Sequence, residues 1–294
     1  MNIIVTGGTG FIGSHLCRAL DDGHDVTALS RSPSGSDLPD SITVVSGDVT
    51  DYSSIVDSFE DQDVVVNLVA LSPLFKPDGG DQMHFRVHLE GTRNVVRAAK
   101  EHGVSTIVQM SALGADPDGP TAYITAKGRA ESVVRESGLE WTIFRPSVVF
   151  GEGSEFVEFT RKLTTPYVTA LPGGGRTRFQ PIWVNDLVDV LAGAVTDSEH
   201  RGQVYEIGGP EVLTLKDVAE LVHREEGRSL TVVPIPMPLA GLGMAIADPL
   251  PFVPFGTDQY RSLRFDNTTA SNDITAFGRS VDELRSFSSF LSEH

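Results

Sequence analysis

Cys17 is the only cysteine in the 294-residue chain, which excludes an internal disulfide and a cluster of thiolate metal ligands. Lysine is nearly as scarce: Lys76, Lys100, Lys127, Lys162 and Lys216 are the full set. Lysine and arginine together number 23 against 40 aspartates and glutamates, for a formal net charge of −17. A field of that sign repels nucleic acid and anionic membrane surfaces, so no nucleic-acid partner is expected. An acidic, lysine-poor surface also resembles that of halophilic proteins, where dissolved ions screen the self-repulsion. No uninterrupted apolar run is long enough to cross a bilayer, so no membrane span is expected, and a peripheral association stays open. The chain starts directly on a strand pattern, Asn2-Ile3-Ile4-Val5, without a signal peptide, and a cytoplasmic location is the default expectation.

Short β-branched runs alternating with helical patterns fill the first half. Strands are predicted at residues 2–6, 25–30, 43–46, 64–69, 106–110 and 141–145, and helices at 11–22, 53–59, 82–102 and 122–137. The strands are almost continuously Val, Ile and Leu, as in parallel strands buried on both faces. Together they imply βαβ units and an α/β fold with a doubly wound parallel sheet, a Rossmann fold, carrying a small C-terminal substrate cap. Residues 1–208 are assigned to the nucleotide-binding domain, with a cap segment inserted at about 152–180, and residues 209–294 to a C-terminal cap that does not fold alone. Further helices are expected at 155–162, 185–195, 215–225 (with Thr214 as N-cap) and 281–291, and a strand at 204–207.

Between the first strand and the first helix stands Thr6-Gly7-Gly8-Thr9-Gly10-Phe11-Ile12-Gly13. Gly7, Gly10 and Gly13 have the spacing GxxGxxG, which lets the chain turn sharply, approach a pyrophosphate closely and pack the next helix on the sheet. The helix N-terminus then offers N–H groups to phosphate, so Gly7, Thr9, Gly10, Phe11, Ile12 and Gly13 are candidate cofactor contacts. A carboxylate at the end of the second strand would bind the ribose hydroxyls of NAD(H). Here Ser30 and Arg31 stand instead, which favours NADP(H) while leaving NAD(H) open.

Tyr123 and Lys127 form Y-x-x-x-K on the helix after the fifth strand, four apart and so on one face. A tyrosine ionises near pH 10, too high for a base at neutral pH, and a neighbouring ammonium would favour the phenolate. Ser111, just beyond the fifth strand, is placed to orient a substrate hydroxyl or carbonyl. Ser111, Tyr123 and Lys127 are therefore the candidate catalytic set.

With those residues in place, the chain resembles the extended or atypical short-chain dehydrogenase/reductases, the class that holds nucleotide-sugar epimerases and dehydratases. The resemblance implies adenine contacts at Asp48 and Val49 after the third strand, nicotinamide-ribose contacts at Asn67 and Ala70, and a nicotinamide-side loop at Pro146 in Arg145-Pro146-Ser147. The stretch 173–186 resembles the sugar-epimerase pattern G-x-G-x-x-R-x-x-x-[IV]-x-V-x-D, which implies Arg178 on a substrate diphosphate and Asp186 at a helix start. Met110 departs from the second hydroxyl residue usual there, and Phe179-Gln180 departs from the usual aspartate and aromatic. A narrower resemblance rests on Met110-Ser111-Ala112-Leu113-Gly114-Ala115, Phe179-Gln180-Pro181-Ile182 and Tyr205-Glu206-Ile207-Gly208-Gly209-Pro210. These resemble the NADPH-binding accessory subunits of respiratory complex I and their prokaryotic NADH-dehydrogenase-like relatives. Two functions follow as expectations. One is an oxidoreductase or epimerase acting on a small carbonyl or hydroxyl substrate. The other is a non-catalytic NADPH-binding structural, assembly or sensing protein. A homodimer stays open.

His84 and His88 lie four apart on a predicted helix, but no third ligand is evident, so no metal site is expected and a solvated helix face is the reading. The apolar stretch from Pro234 to Pro254, with Met237, Leu239, Leu242, Met244, Ile246, Leu250 and Phe252, is read as a cap over a substrate pocket, with a quinone- or lipid-facing lid as the alternative.

Overall fold

The structure is a computed structural model that describes residues 1–33, 37–247 and 256–293. Its described part divides into two compact units: Met1–Leu71 with Gln82–Pro146 and Val184–Tyr205, and Ser72–Asp81 with Ser147–Trp183 and the segment from Glu206 onward.

The first unit holds the α/β fold that the alternating pattern leads one to expect. Strands β1 (Asn2–Thr6), β2 (Asp25–Ser30), β3 (Thr43–Ser46), β4 (Val64–Asn67), β5 (Thr106–Met110), β6 (Glu140–Pro146) and β7 (Gln203–Ile207) form one sheet in the order 7-6-5-4-1-2-3. The neighbours from β3 to β6 pair in parallel, with Thr6 facing Leu29 on one side and Asn67 on the other. The order reverses between β1 and β4, the switch point beyond whose carboxyl ends ligands of such sheets bind. Ile3, Ile4, Val5, Val65 and Val66 are fully buried, which explains why the strands read as apolar runs rather than alternations. Helices α1 (Phe11–Asp21), α2 (Gly91–Glu101) and α3 (Ala122–Arg135) cover the sheet. Val95, Ala98, Ala99 and Val134 pack with Ile4, Val65, Ile107 and Ile143 in its core.

Two of the expected helices differ in detail. The helix expected at 53–59 is a pair of 3₁₀ turns, Tyr52–Ser54 and Val56–Phe59, because the Asp51 side chain caps the first turn by accepting from Ser53 N. The helix expected at 82–102 enters as Gln82–His84, widens into a π-helical turn over Phe85–Glu90 and only then runs as α2.

In the second unit, strands Tyr167–Pro172 and Leu230–Ile235 pair in parallel, which the sequence reading did not anticipate. Helices Glu155–Leu163 and Leu215–Glu225 belong to it, the latter opened by a capping box between Thr214 and Asp217. Its core is aromatic: Phe150 meets Phe287 edge-on at 5.2 Å between ring centroids, and Phe156 lies 5.6 Å from the same ring. The expected helix at 281–291 is broken into a 3₁₀ turn, Val281–Glu283, and a short helix, Phe287–Ser292, because Ser280 and then Ser286 each cap a new start. Met237–Ala247 is helical, with Leu239 and Leu242 both 61% exposed. Leu250 and Phe252 lie outside the described residues. Among the described residues, no helix is long and apolar enough to cross a membrane, and no three metal-ligating side chains come together.

Candidate functional site

The glycine loop closes the carboxyl end of β1. Gly7 takes φ +79°, a left-handed conformation in which a side chain would be strained, and its N–H donates to Leu29 O at 2.8 Å. A Cβ on Gly13 would stand 2.1 Å from Gly7 O, and one on Gly8 2.7 Å from Ala28 Cβ. The loop can therefore lie against α1 and β2 only without side chains at these positions. Gly10 caps α1 with no side-chain hydrogen bond, so the N–H groups of the first turn are not claimed by a cap. A side-chain-free loop leading into an uncapped helix start fits a dinucleotide pyrophosphate, with Thr9, Phe11 and Ile12 partly exposed around it.

At the end of β2, Thr9 Oγ1 donates to Ser30 Oγ at 2.6 Å, joining the glycine loop to the residue that replaces a carboxylate. Arg31 is exposed and has no ion-pair or hydrogen-bond partner among the described residues. Asp48 is half-buried, and its Oδ1 accepts from Thr50 N at 2.8 Å, so one oxygen is used within its own turn. Val49 is buried against the start of α2, where Asn94 Nδ2 donates to its carbonyl at 2.8 Å. Asn67 is buried at the end of β4 and fully engaged: it accepts from Thr6 Oγ1 at 2.7 Å and donates to Gln109 Oε1 at 2.9 Å and Thr92 Oγ1 at 3.2 Å. That network ties β1, β4, β5 and α2 together below the site. Ala70 is exposed beyond it, and Pro146 is buried at the end of β6, accepting from Leu113 N at 3.2 Å.

Helix α3 starts at Thr121, whose Oγ1 accepts from Ile124 N at 3.2 Å. Its buried face carries Lys127, Glu131 and Val134 at helical spacing from Tyr123. The Lys127 ammonium lies 5.9 Å from the Tyr123 ring centroid and donates to Met110 O at 3.0 Å. Burial pushes this lysine down to about 8, and burial holds the Tyr123 phenol well above the usual tyrosine range. The Tyr123 hydroxyl meets no hydrogen-bond partner among the described residues. Tyr123 and Lys127 are thus brought together, and a protonated phenol is the form that this surrounding favours.

Ser111 points elsewhere. Its Oγ donates to Glu131 Oε1 at 2.5 Å. Glu131, 1% exposed, also takes both arms of the Arg145 guanidinium at 2.8 Å and Arg135 Nη2 at 2.9 Å. A buried carboxylate needs such partners, and Glu131 in turn favours the charged form of Lys127 one helical turn away. Sequence reasoning passed over Glu131, although its i,i+4 spacing from Lys127 put it on the same inward face.

The histidines correct the reading of a solvated face. His84 is fully buried and His88 is 2% exposed. Their rings stack at 5.6 Å and 12°, and the Tyr123 ring stands across both, at 5.5 Å and 76° from His84 and at 5.3 Å and 85° from His88. The missed signal was phase: His84, His88, Val95 and Ala99 recur at helical spacing on the face that enters the core. In the second unit Arg178 is exposed and paired with Asp266, through Nη2 at 2.6 Å and Nε at 2.9 Å, and holds that carboxyl below the usual range. Asp186 sits buried in the first turn of the helix Val184–Thr196.

Residues 7–169 match the protein family described as NAD(P)H-binding. Among curated proteins, the chain is 28% identical over 291 residues to the mitochondrial "NADH dehydrogenase [ubiquinone] 1 alpha subcomplex subunit 9" of Arabidopsis thaliana, covering 92% of this chain and 71% of that protein. It is 26% identical over 205 residues to the mitochondrial "NADH-ubiquinone oxidoreductase 40 kDa subunit" of Neurospora crassa, covering 68% of this chain and 53% of that one. Among solved structures, a nucleoside-diphosphate-sugar epimerase from Staphylococcus aureus superposes with a TM-score of 0.74 over 99% of both chains, at 21% identity, a likeness of fold. The chain belongs to the NAD(P)H-binding family and is an extended short-chain dehydrogenase/reductase in type, which the sheet order fits.

Proposed function

We propose that the protein is an NADP(H)-dependent oxidoreductase that reduces a small carbonyl-type substrate, with Tyr123 as the proton donor. The observation that carries this reading is the Tyr123 hydroxyl, which meets no hydrogen-bond partner among the described residues while its ring is walled in by His84 and His88 and the Lys127 ammonium lies 5.9 Å from the ring centroid. A buried lysine whose hydrogen bond goes to a carbonyl rather than a carboxylate costs stability, and such costs concentrate at functional sites. When bound, NADPH supplies a hydride to the substrate carbon. Tyr123 gives its proton to the substrate oxygen as that oxygen gains charge, and Lys127 stabilises the phenolate left behind until solvent restores the proton. Ser111, held by Glu131, fixes the end of β5 against α3. The Thr9–Ser30 hydroxyl pair and the exposed Arg31, which has no partner among the described residues, support a preference for the 2′-phosphate of NADP(H).

A second reading, a non-catalytic NADPH-binding protein, is favoured by one observation: the Ser111 hydroxyl is spent on Glu131 rather than left free. Tyr123→Phe separates the two. It keeps the ring and its aromatic contacts, so NADPH affinity by calorimetry should stay unchanged. NADPH-dependent reduction across a panel of quinones, ketones and nucleotide sugars should fall by about 10²–10⁴-fold. A Tyr123→Phe protein that fully complements a deletion strain sinks the catalytic reading.

A further inference from the structure

We propose that His84 and His88 are positioning residues for Tyr123, a two-ring wall that holds the phenol in the one orientation from which its hydroxyl meets a substrate oxygen. The inference rests on reading Tyr123 as the proton donor. Its geometry is independent of that reading. Three ring centroids stand 5.3–5.6 Å apart, with the imidazoles nearly parallel and the phenol nearly perpendicular to both. Perpendicular aromatic contacts are favourable, and two at once leave the phenol little freedom to swing. The pair is itself held. His88 Nε2 accepts from Leu71 N at 3.4 Å, which places the proton of a neutral ring on Nδ1. The π-helical turn Phe85–Glu90 carries His88, and such turns recur at functional sites.

The charges around the wall agree with this role. The groups facing His88 are His84, Tyr123 and Lys127, and burial first, then the Lys127 charge, keep His88 well below the usual histidine range. A neutral His88 gives Tyr123 a dry neighbour and adds no cation of its own beside Lys127, so the phenol keeps the proton that it is to deliver.

Two substitutions at His88 divide the ring from the hydrogen bond. His88→Gln keeps an acceptor for Leu71 N–H and removes the ring. His88→Phe keeps a ring and removes the acceptor. The first readout is NMR of protein labelled at the tyrosine ζ-carbon, with the Tyr123 signal assigned among the five tyrosines by its loss in Tyr123→Phe. In the native protein and in His88→Phe, Tyr123 should stay protonated through the ordinary tyrosine range. In His88→Gln its ionisation should fall toward about 10, the value of a solvated tyrosine. The second readout is NADPH oxidation with 1,4-naphthoquinone or another acceptor from the panel. There kcat should fall by about ten- to a hundredfold in His88→Gln, with KM for NADPH unchanged, and recover in His88→Phe. If His88→Gln keeps the native Tyr123 signal and titration, or if Gln rescues where Phe does not, the wall is wrong and the Leu71 contact is the whole role. If neither variant folds, His84→Phe and His84→Gln put the same question to the other ring. A native protein that turns over none of these acceptors counts against the proton-donor reading alone, because the titration still judges the wall.

Discussion

The two ends of the candidate site are built from different material. The glycine-loop end, the candidate phosphate end, is backbone: a left-handed Gly7, a Gly13 that a methyl group would drive into Gly7 O, and an uncapped start to α1. The tyrosine end is buried side chains: Tyr123, Lys127, Glu131, His84 and His88, arriving from two stretches of chain some forty residues apart. Backbone sites are defined by what they cannot carry, so a short local motif specifies them. Side-chain sites are defined by who packs against whom, which only the fold decides.

The largest expected effect breaks the first end. In Gly13→Ala the new Cβ meets Gly7 O at 2.1 Å and Gly8 Cα at 2.8 Å, both backbone. No side chain can yield, so α1 must lift from the loop. NADPH affinity should fall by about a hundredfold or more, roughly 3 kcal/mol or beyond, with a lower Tm. Gly10→Ala is the internal control, since its Cβ would lie 3.2 Å from the same oxygen and needs only a small adjustment. Calorimetry showing equal losses for the two would mean that tight loop–helix packing is not what makes the phosphate end.

This division also explains what was legible in the sequence. The strands of the main sheet were, because residues such as Ile3, Ile4, Val65 and Val66 are buried on both faces and leave a continuous apolar run. The pair Tyr167–Pro172 and Leu230–Ile235 was not: both strands contain proline and leave Tyr167, Val168 and Val233 exposed, and their pairing spans some sixty residues. At the site, the glycine spacing and the pairing of Tyr123 with Lys127 were legible. His84 and His88 were not, because a polar residue on an inward helical face looks like a break in the apolar stripe until its neighbours are known. The same holds for the Ser111 hydroxyl, whose partner Glu131 lies twenty residues on.

The second prediction concerns the side-chain end through pH. Burial holds Lys127 at about 8, against 10.5 for an ordinary lysine. Between those values the unfolded chain carries the proton and the folded chain does not. Stability should therefore rise as pH rises from about 8 to about 10.5, and below about 8 the buried ammonium costs about 3 kcal/mol. Lys127→Met removes that cost but leaves Met110 O without its donor, worth about 1 kcal/mol. The variant should be about 2 kcal/mol more stable at pH 7 and lose this part of the pH slope, as read from urea midpoints at fixed salt, while the proposed NADPH-dependent reduction should collapse. A variant less stable than the native protein at pH 7 would make Lys127 a structural residue, and the contrast between the two ends would narrow.

The smallest expected effect lies where the two kinds of construction meet. At the end of β2, Ser30 is fixed by Thr9 from the glycine loop, while Arg31 is exposed and has no charged partner among the described residues. If the backbone end alone bound the cofactor, NADPH and NADH would bind alike, because the pyrophosphate is common to both. A 2′-phosphate offers Arg31 a charge-assisted hydrogen bond that a ribose hydroxyl cannot match. Arg31 is exposed, so screening reduces that bond toward the low end of the usual range. Arg31→Ala should weaken NADPH by about 1.5 kcal/mol, roughly tenfold, and leave NADH unchanged. The difference should shrink as potassium chloride is raised, since the contact is electrostatic and open to ions. Fluorescence titration of both nucleotides at two salt concentrations tests this. Equal weakening of the two would place Arg31 with the fold rather than with the 2′-phosphate, and an unchanged NADPH affinity would leave the choice of cofactor to the Thr9–Ser30 pair.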